Sequence, residues 1–338
     1  MARFRVAFRA DGNFEIGLGH LVRSLSLARS LVESCTAEIV FFTRDVKYYQ
    51  ALRGEFRVVA LPSDLEEEGF ALLLFSYYQK FKPHLIVRDC RDSSAAYMIK
   101  MRQLGVPLIN FDDLGSGRSY CDLLIDANID QTQAPTGLAT LSGPRYIVLQ
   151  QEFASLRQAD KKAPATIRRT LITLGGSDPA ALTLKTVAAL DGLAGSFDLV
   201  IGQAYNALAV LIPMIEQSSA QITLHQGLPS LAPLLVEADL AIVAAGITLY
   251  ECFCLGVPSL VLAQKKHQEK IALRFAQDGT IVYVGLADQV TPEAILSCYQ
   301  NLISDQGLRQ KMTKLGLAVT DGLGLSRIVD KLKELLPR

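Results

Sequence analysis

Short β-branched and apolar runs alternate with segments of helical period along the whole chain. The first run covers residues 4–9 and leads through a glycine loop into a predicted helix over 21–33. In that helix Leu21, Leu25, Ala28 and Val32 fall at the i, i+4, i+7, i+11 spacing of a buried stripe. Further strands are predicted at 38–42, 57–60, 84–88, 107–111, 123–126 and 146–149, with helical segments between most of them. Uniformly apolar strands separated by helices point to parallel sheets covered on both faces.

Residues 150–169 interrupt the pattern. They are polar, carry Asp160-Lys161-Lys162 and contain Pro164, as a linker would. The alternation then restarts with strands predicted at 171–174, 198–201, 221–224, 240–244, 259–262 and 281–284. The expected organisation is α/β: a Rossmann-like domain over 1–150, a linker over 151–169, and a second Rossmann-like domain over 170–320. A terminal segment, 321–338, has a helix over 325–336 that can pack back on the first domain. Two such domains would face one another across a cleft.

A length of 338 residues agrees with two domains at about 150 residues each. With 50% apolar and 20% charged residues, the composition excludes disorder and fibrous structure. Lys+Arg and Asp+Glu are equal at 34 each, and neither half of the chain is the basic surface that nucleic-acid binding requires. No apolar stretch reaches the ~18 residues of a membrane span. The apolar segment 207–215 fits a core helix, or alternatively a weak membrane contact. The opening MARFRVAFRADG carries three Arg where a secretory leader needs an apolar run. Six scattered Cys suit a reduced, cytoplasmic chain, and Cys252-x-Cys254, without a second ligand pair, reads as core.

Chemistry concentrates at the strand ends. The loop from Asp11 through Asn13 and Gly17 to Gly19-His20 runs into a helix N-terminus, where backbone N–H groups and the helix dipole suit an anion. Val22 stands where a dinucleotide fingerprint needs its third glycine. At a helix start the local field disfavours a second positive charge, so a neutral His20 can accept a proton from water; capping the helix is the alternative. Arg23, one turn on, can reach an anion or face solvent. Asp89 and Asp112-Asp113 end two strands, and these carboxylates can orient His20, bind sugar hydroxyls or, for Asp113, cap a turn. No metal is expected. In the second half, Gly175-Gly176-Ser177 and Gly246-Ile247-Thr248 each follow a strand and open a helix, as phosphate-binding loops do. Glu251 sits among apolar residues and needs a partner, either a ribose diol or an arginine. Lys265-Lys266-His267-Gln268 is a solvated face or a counter-charge for a diphosphate.

These pieces, in this order, resemble the UDP-sugar hydrolase of pseudaminic acid biosynthesis, the PseG family, with relatives named for spore-coat polysaccharide synthesis. The resemblance covers most of the chain. It rests on R-A-D-G-N-F-E-I-G-L-G-H-L-V-R (9–23), N-F-D-D (110–113), C-D-L-L-I-D-A-N (121–128) and G-P-R-Y-I-V-L-Q-Q-E-F (143–153). It continues in L-G-G-S-D-P (174–179), A-A-G-I-T-L-Y-E (244–251), L-G-V-P (255–258) and D-G-L-G-L-S-R (321–327). It implies a GT-B architecture and an inverting C–O cleavage that needs neither metal nor cofactor. His20 would activate water, and the sugar would contact Asp11, Asn13, Gly17, Gly19, Arg23, Asp89 and Asp113. UDP would contact Gly175, Gly176, Ser177, Gly246, Thr248, Glu251, His267 and Gln268. A monomer acting on a UDP-sugar is expected, without nucleic acid or membrane insertion. Two departures stand out: Asp89-Cys90-Arg91 replaces the family's Asp-His-Tyr, and His267-Gln268 its Asn-Gln. A glycosyltransferase on the same scaffold is the second reading, and a non-catalytic sugar-nucleotide binding module the third.

Overall fold

The computed structural model describes residues 4–13, 18–51, 55–63, 65, 67–90, 92–127 and 135–337. The chain divides into two compact units, Met1–Val148 with Leu323–Arg338, and Leu149–Gly322.

The first unit is built on seven strands: β1 (Phe4–Ala10), β2 (Ala37–Thr43), β3 (Arg57–Ala60), β4 (Leu85–Asp89), β5 (Leu108–Phe111), β6 (Leu123–Asp126) and β7 (Thr140–Ser142). They lie in the order β3-β2-β1-β4-β5-β6-β7, and the paired strands run parallel. Alternate residues of each strand serve opposite faces. Val6 and Phe8 of β1 and Leu85 and Val87 of β4 pack with Leu21, Leu25 and Ala28 of the helix Gly19–Ser34 and with Ile328 and Leu332 of the helix Gly324–Glu334. Ala7 and Ile86 face the other way, onto Leu74 of the helix Glu67–Phe81 and Met98 of the helix Ala95–Arg102.

The second unit repeats the plan with β8 (Arg169–Thr173), β9 (Ser196–Ile201), β10 (Gln221–Gln226), β11 (Leu240–Ala244), β12 (Ser259–Ala263) and β13 (Val282–Leu286). The order is β10-β9-β8-β11-β12-β13, again parallel. In both sheets the strand order reverses beside the first strand, between β1 and β4 and between β8 and β11. The carboxyl ends of strands at such a reversal are where open parallel sheets bind ligands.

Two local expectations change, and two further segments gain detail. Residues 146–149 form no strand: Gly143, at φ 94°, and Pro144 start a 3-10 turn over Pro144–Tyr146, and Thr140–Ser142 takes the seventh place in the sheet. Val32 is 42% exposed, because the buried arc of its helix runs along Ser24, Ala28 and Leu31 and leaves Val32 at the margin of the last turn. Residues 151–169 are not simply extended chain. They begin with the helix Gln151–Leu156 around buried Phe153, and buried Arg309 donates to the carbonyls of Pro164 (3.0 Å) and Ala165 (2.9 Å). In the helix Leu208–Gln217 only Leu211 is fully buried, while Val210 and Ile212 face solvent. Among the described residues, no helix is long and apolar enough to cross a membrane.

Candidate active site

At the reversal point of the first sheet, the last residue of β4 meets the first turn of the helix after β1. Asp89 has the same parity as Leu85 and Val87, so its carboxylate enters the face covered by the helix Gly19–Ser34. It is fully buried and collects donors from three residues of that helix. His20 Nδ1 lies 2.7 Å from Oδ1, Arg23 Nη2 and Nε donate at 2.6 and 2.8 Å, and Ser24 Oγ at 3.2 Å. Burial alone would raise the Asp89 carboxyl, but the Arg23 charge beside it and the bonds from Arg23 and His20 hold it down at about 2. An ionised carboxylate can only accept, so the His20 proton facing it sits on Nδ1, and Nε2 is the ring nitrogen left to act as a base.

Arg23 is the hub of this cluster. Its Nη1 also donates to Asp112, and its guanidinium lies 4.8 Å from the centre of the Phe111 ring. Burial works against the Arg23 charge, yet Asp112 and Asp89 keep the guanidinium protonated above its usual range. Asp112 adopts φ 43°, a left-handed conformation that Asp tolerates better than most residues. That twist sends Asp112 and Asp113 to different places.

Asp113 accepts from Ser93 N and Gly115 N at 2.9 Å each, from Asn110 Nδ2 at 2.6 Å and from Ser93 Oγ, and pairs with Arg88 at 3.3 Å. It pins the loop after β5 against Ser93, just ahead of the helix Ala95–Arg102. Gly115 is needed there, since a Cβ would stand 2.1 Å from Ser93 O. Asp113, expected from the resemblance as a sugar contact, is engaged by this loop, and it is Asp112 that meets Arg23. Two acids in a row signalled the loop, and nothing local said which would face the helix.

The remaining first-unit candidates are less concentrated. Asp11 is held by both Arg9 nitrogens (2.6 and 2.5 Å) and by Arg44 N (2.9 Å), while Asn13 Nδ2 donates to Asp45 at 3.3 Å. Gly19 opens the helix that carries His20. Gly17 lies outside the described residues, as does Arg91.

In the second unit, Gly175 follows β8 with φ 98°, and Gly176 and Ser177 follow it. Asp178 then caps the helix Leu182–Leu190, accepting from Leu182 N (3.1 Å) and Thr183 N (2.7 Å). Gly202, just beyond β9, was not anticipated. A Cβ there would lie 2.4 Å from Gly176 Cα, so the absence of a side chain at Gly202 lets the glycine loop settle. Strand-end glycine was the available signal. Gly202→Ala is expected to displace this loop, with a stability loss of about 1–3 kcal/mol that a thermal melt checks.

At the second reversal point, β11 ends at Ala244 and Gly246 caps the helix Ile247–Cys254, whose first N–H groups are available to an anion. Thr248 and Glu251 stand one turn apart on it. Glu251 Oε2 is buried with no hydrogen-bond partner, and burial pushes the carboxyl up to about 7 despite a bond from Thr248. Among the described residues no arginine pairs with it. Beyond β12, Gln264 donates to Leu174 O, and Gln268 Oε1 accepts from Gln264 N at 2.8 Å. Gln268 thereby ties the lysine-rich turn to the glycine loop, while His267 is exposed. A cavity of about 520 Å³ opens here, walled by Gln264, Lys265, Lys266 and Asp288.

The spore coat polysaccharide biosynthesis protein SpsG of Bacillus subtilis is 30% identical to this chain over 340 residues, spanning 98% of each chain. The chain belongs to the PseG/SpsG family. A second family relative, the UDP-2,4-diacetamido-2,4,6-trideoxy-beta-L-altropyranose hydrolase of Campylobacter jejuni, is 22% identical over 284 residues, covering 81% of this chain and 97% of that protein. The crystal structure of Acinetobacter baumannii MurG matches with a TM-score of 0.71 at 17% identity, over 98% of this chain and 99% of that one. The fold is of GT-B type, with two parallel-sheet α/β domains. No protein-family model matches the chain.

Proposed function

We propose that this member of the PseG/SpsG family is a hydrolase that cleaves a UDP-linked deoxy-amino sugar, UDP-2,4-diacetamido-2,4,6-trideoxy-β-L-altropyranose, to UDP and the free sugar. The product would feed nonulosonic (pseudaminic) acid synthesis for surface glycans, in the cytoplasm. The observation that carries the reading is the His20–Asp89 pair, a buried ionised carboxylate 2.7 Å from Nδ1 that leaves Nε2 as a base. The family relationship to a named UDP-sugar hydrolase supplies the substrate class.

In the proposed reaction, Nε2 of His20 takes a proton from water as the water oxygen bonds to the anomeric carbon. The bond from that carbon to the β-phosphate oxygen breaks, its electron pair leaves with UDP, and the configuration inverts. Asp89 stabilises the imidazolium that forms, and Arg23 with Asp112 keeps Asp89 ionised and in place. UDP would be held by the second unit, its diphosphate at Gly176, Ser177 and the N-terminus of the helix Ile247–Cys254, its ribose on Glu251. Lys266 would offset the charge that develops on the leaving group.

A second reading is transfer of the sugar to an acceptor hydroxyl, with His20 deprotonating that hydroxyl. One observation favours it: the relative at 30% identity is named for polysaccharide biosynthesis, whereas the hydrolase stands at 22%.

The test incubates the protein with the sugar nucleotide and a chelator, without acceptor, followed by proton and phosphorus NMR. Equal amounts of UDP and free sugar are expected, at a rate about 10²-fold or more lower for His20→Ala. UDP binding without turnover would refute hydrolysis of this substrate and leave the transferase to be sought with acceptors.

A further inference from the structure

The cavity of about 520 Å³ beside Gln264 lies on a different face of the second sheet from Glu251 and its helix. Crossovers between parallel strands are right-handed, so two that run in opposite directions place their helices on opposite faces. The helix Leu182–Leu190 leads from β8 to β9, and the helix Ile247–Cys254 leads the other way, from β11 to β12. Leu182, Val187 and Leu190 of the first share a core with Ile172, Leu260 and Leu262. The second packs Phe253 on Phe275. Gln264 has the parity of Leu260 and Leu262, so it stands on the Leu182–Leu190 side, its amide closed on Leu174 O at the root of the glycine loop.

Three lysines converge on that cavity. Lys185, half-buried, donates from Nζ to the carbonyls of Ala287 at 2.8 Å and Val290 at 2.9 Å. An ammonium has three donors, so Lys185 is fixed in place with one to spare. Lys265 and Lys266 are exposed on the turn after β12, and the acid in the wall is Asp288, also exposed. Among the described residues, none of these four forms an ion pair. Two further acids close by are engaged elsewhere. Asp178 accepts from Leu182 N and Thr183 N, and Glu269 accepts at 3.3 Å from Tyr283, whose parity is opposite to that of Val282 and Val284. With all of 149–322 described, the wall that this unit contributes carries three positive charges and one negative.

An excess of positive charge in a concave space attracts a multiply charged anion. Lysine is a point-charge partner for phosphate oxygens. The volume exceeds what a phosphate group fills and falls in the range of small-molecule sites, which leaves space for the group that carries the phosphate. Ala180 and Leu286 supply apolar wall for that group. We propose that this cavity binds a phosphomonoester, its dianionic phosphate at Lys185 and Lys265 with Lys266 adding its charge, and its carbon skeleton against Ala180 and Leu286. The site can be filled while a nucleotide occupies the glycine loop and the helix at Gly246. It does not depend on whether His20 activates water.

Full-length protein in phosphate-free buffer would be titrated calorimetrically with glucose 6-phosphate, inorganic phosphate and glucose. Glucose 6-phosphate is expected to bind, free phosphate more weakly and glucose not at all, with affinity falling as salt is raised. Lys185→Gln should weaken glucose 6-phosphate binding about tenfold or more, and Lys265→Gln about threefold or more. Asp288→Asn, which removes the opposing charge, should tighten it about threefold. Lys265 and Asp288 are exposed, so thermal melts of these two variants should match the parent protein, and they decide the matter if Lys185→Gln does not fold. Excess UDP should leave the affinity for glucose 6-phosphate within about twofold. Displacement by UDP would make the lysines part of the nucleotide site and overturn a separate one. Tighter binding of free phosphate than of glucose 6-phosphate would overturn the monoester. Absence of binding, or binding unchanged by both Lys265→Gln and Asp288→Asn, would overturn the site.

Discussion

Asp89→Asn is expected to slow UDP release from the sugar nucleotide by about 10²–10⁴-fold while leaving UDP affinity within about twofold. The carboxylate can only accept a hydrogen bond, which places the His20 proton on Nδ1 and the lone pair on Nε2. An amide in its place can present N–H to Nδ1 and so stabilise the opposite tautomer, whose Nε2 carries a proton and cannot take another. The substitution also deprives Arg23 of the charge it meets at 2.6 and 2.8 Å. Ser24→Ala, which removes only the 3.2 Å bond to the same carboxylate, should cost less than about tenfold. Single-turnover rates, with UDP affinity measured separately, distinguish the two variants. A D89N rate within about threefold of the parent protein would remove Asp89 from the mechanism. Because this carboxyl is held at about 2, below its ordinary 3.8, it stays ionised through the neutral range. The stability it contributes is present above about pH 4 and is lost as pH falls through about 2.

Glu251→Gln should move stability and nucleotide affinity in opposite directions. Burial raises this carboxyl from its ordinary 4.5 to about 7, so the folded protein binds the proton more tightly than the unfolded chain does. Stability is therefore lost as pH rises from about 4.5 to about 7, and the full cost is present above that. Glutamine carries no such charge. The variant should be more stable than the parent at about pH 8, by up to about 3 kcal/mol, with little difference at about pH 4. UDP affinity should respond the other way. Ribose hydroxyls donate best to the ionised acid, so parent affinity should climb as pH passes through about 7. The variant should bind about tenfold more weakly above that pH, with a flatter profile. Melting temperatures and UDP titrations across this range provide the check. A stability difference that does not change with pH would show that the charge of Glu251 is not what destabilises the unliganded protein.

The split between what was legible in the chain and what was not follows the range of the interactions. The helix that carries His20, the glycine loop after β8 and the helix opening at Gly246 were all readable, because each depends on neighbours within a turn or two. So was the alternation that implies two parallel sheets. The strand expected at 146–149 failed for a partly non-local reason: Ile147, Val148 and Leu149 are buried and apolar, but Gly143-Pro144 turns the chain just before them and Thr140–Ser142 occupies the sheet edge beside β6. Glu251 was recognisable as an acid in an apolar helix, while the absence of an arginine beside it depends on distant chain.

By itself, the sequence determined the class of fold, the positions of the glycine loops and the set of residues able to do acid–base and anion chemistry. Periodicity, turn residues and side-chain type are local properties. That Asp89 rather than another acid stands against His20, that Arg23 bridges Asp89 to Asp112, and that Asp113 instead locks a loop was set by the folded chain. Those outcomes depend on β4 lying beside β1, which brings together residues 69 and 66 positions apart, and on a left-handed turn at Asp112 that separates two adjacent acids. Gly202 against Gly176 is the same kind of fact. Parallel strands pair across intervening helices, so the contacts that make a site from these residues are set by strand order, which is a property of the folded sheet.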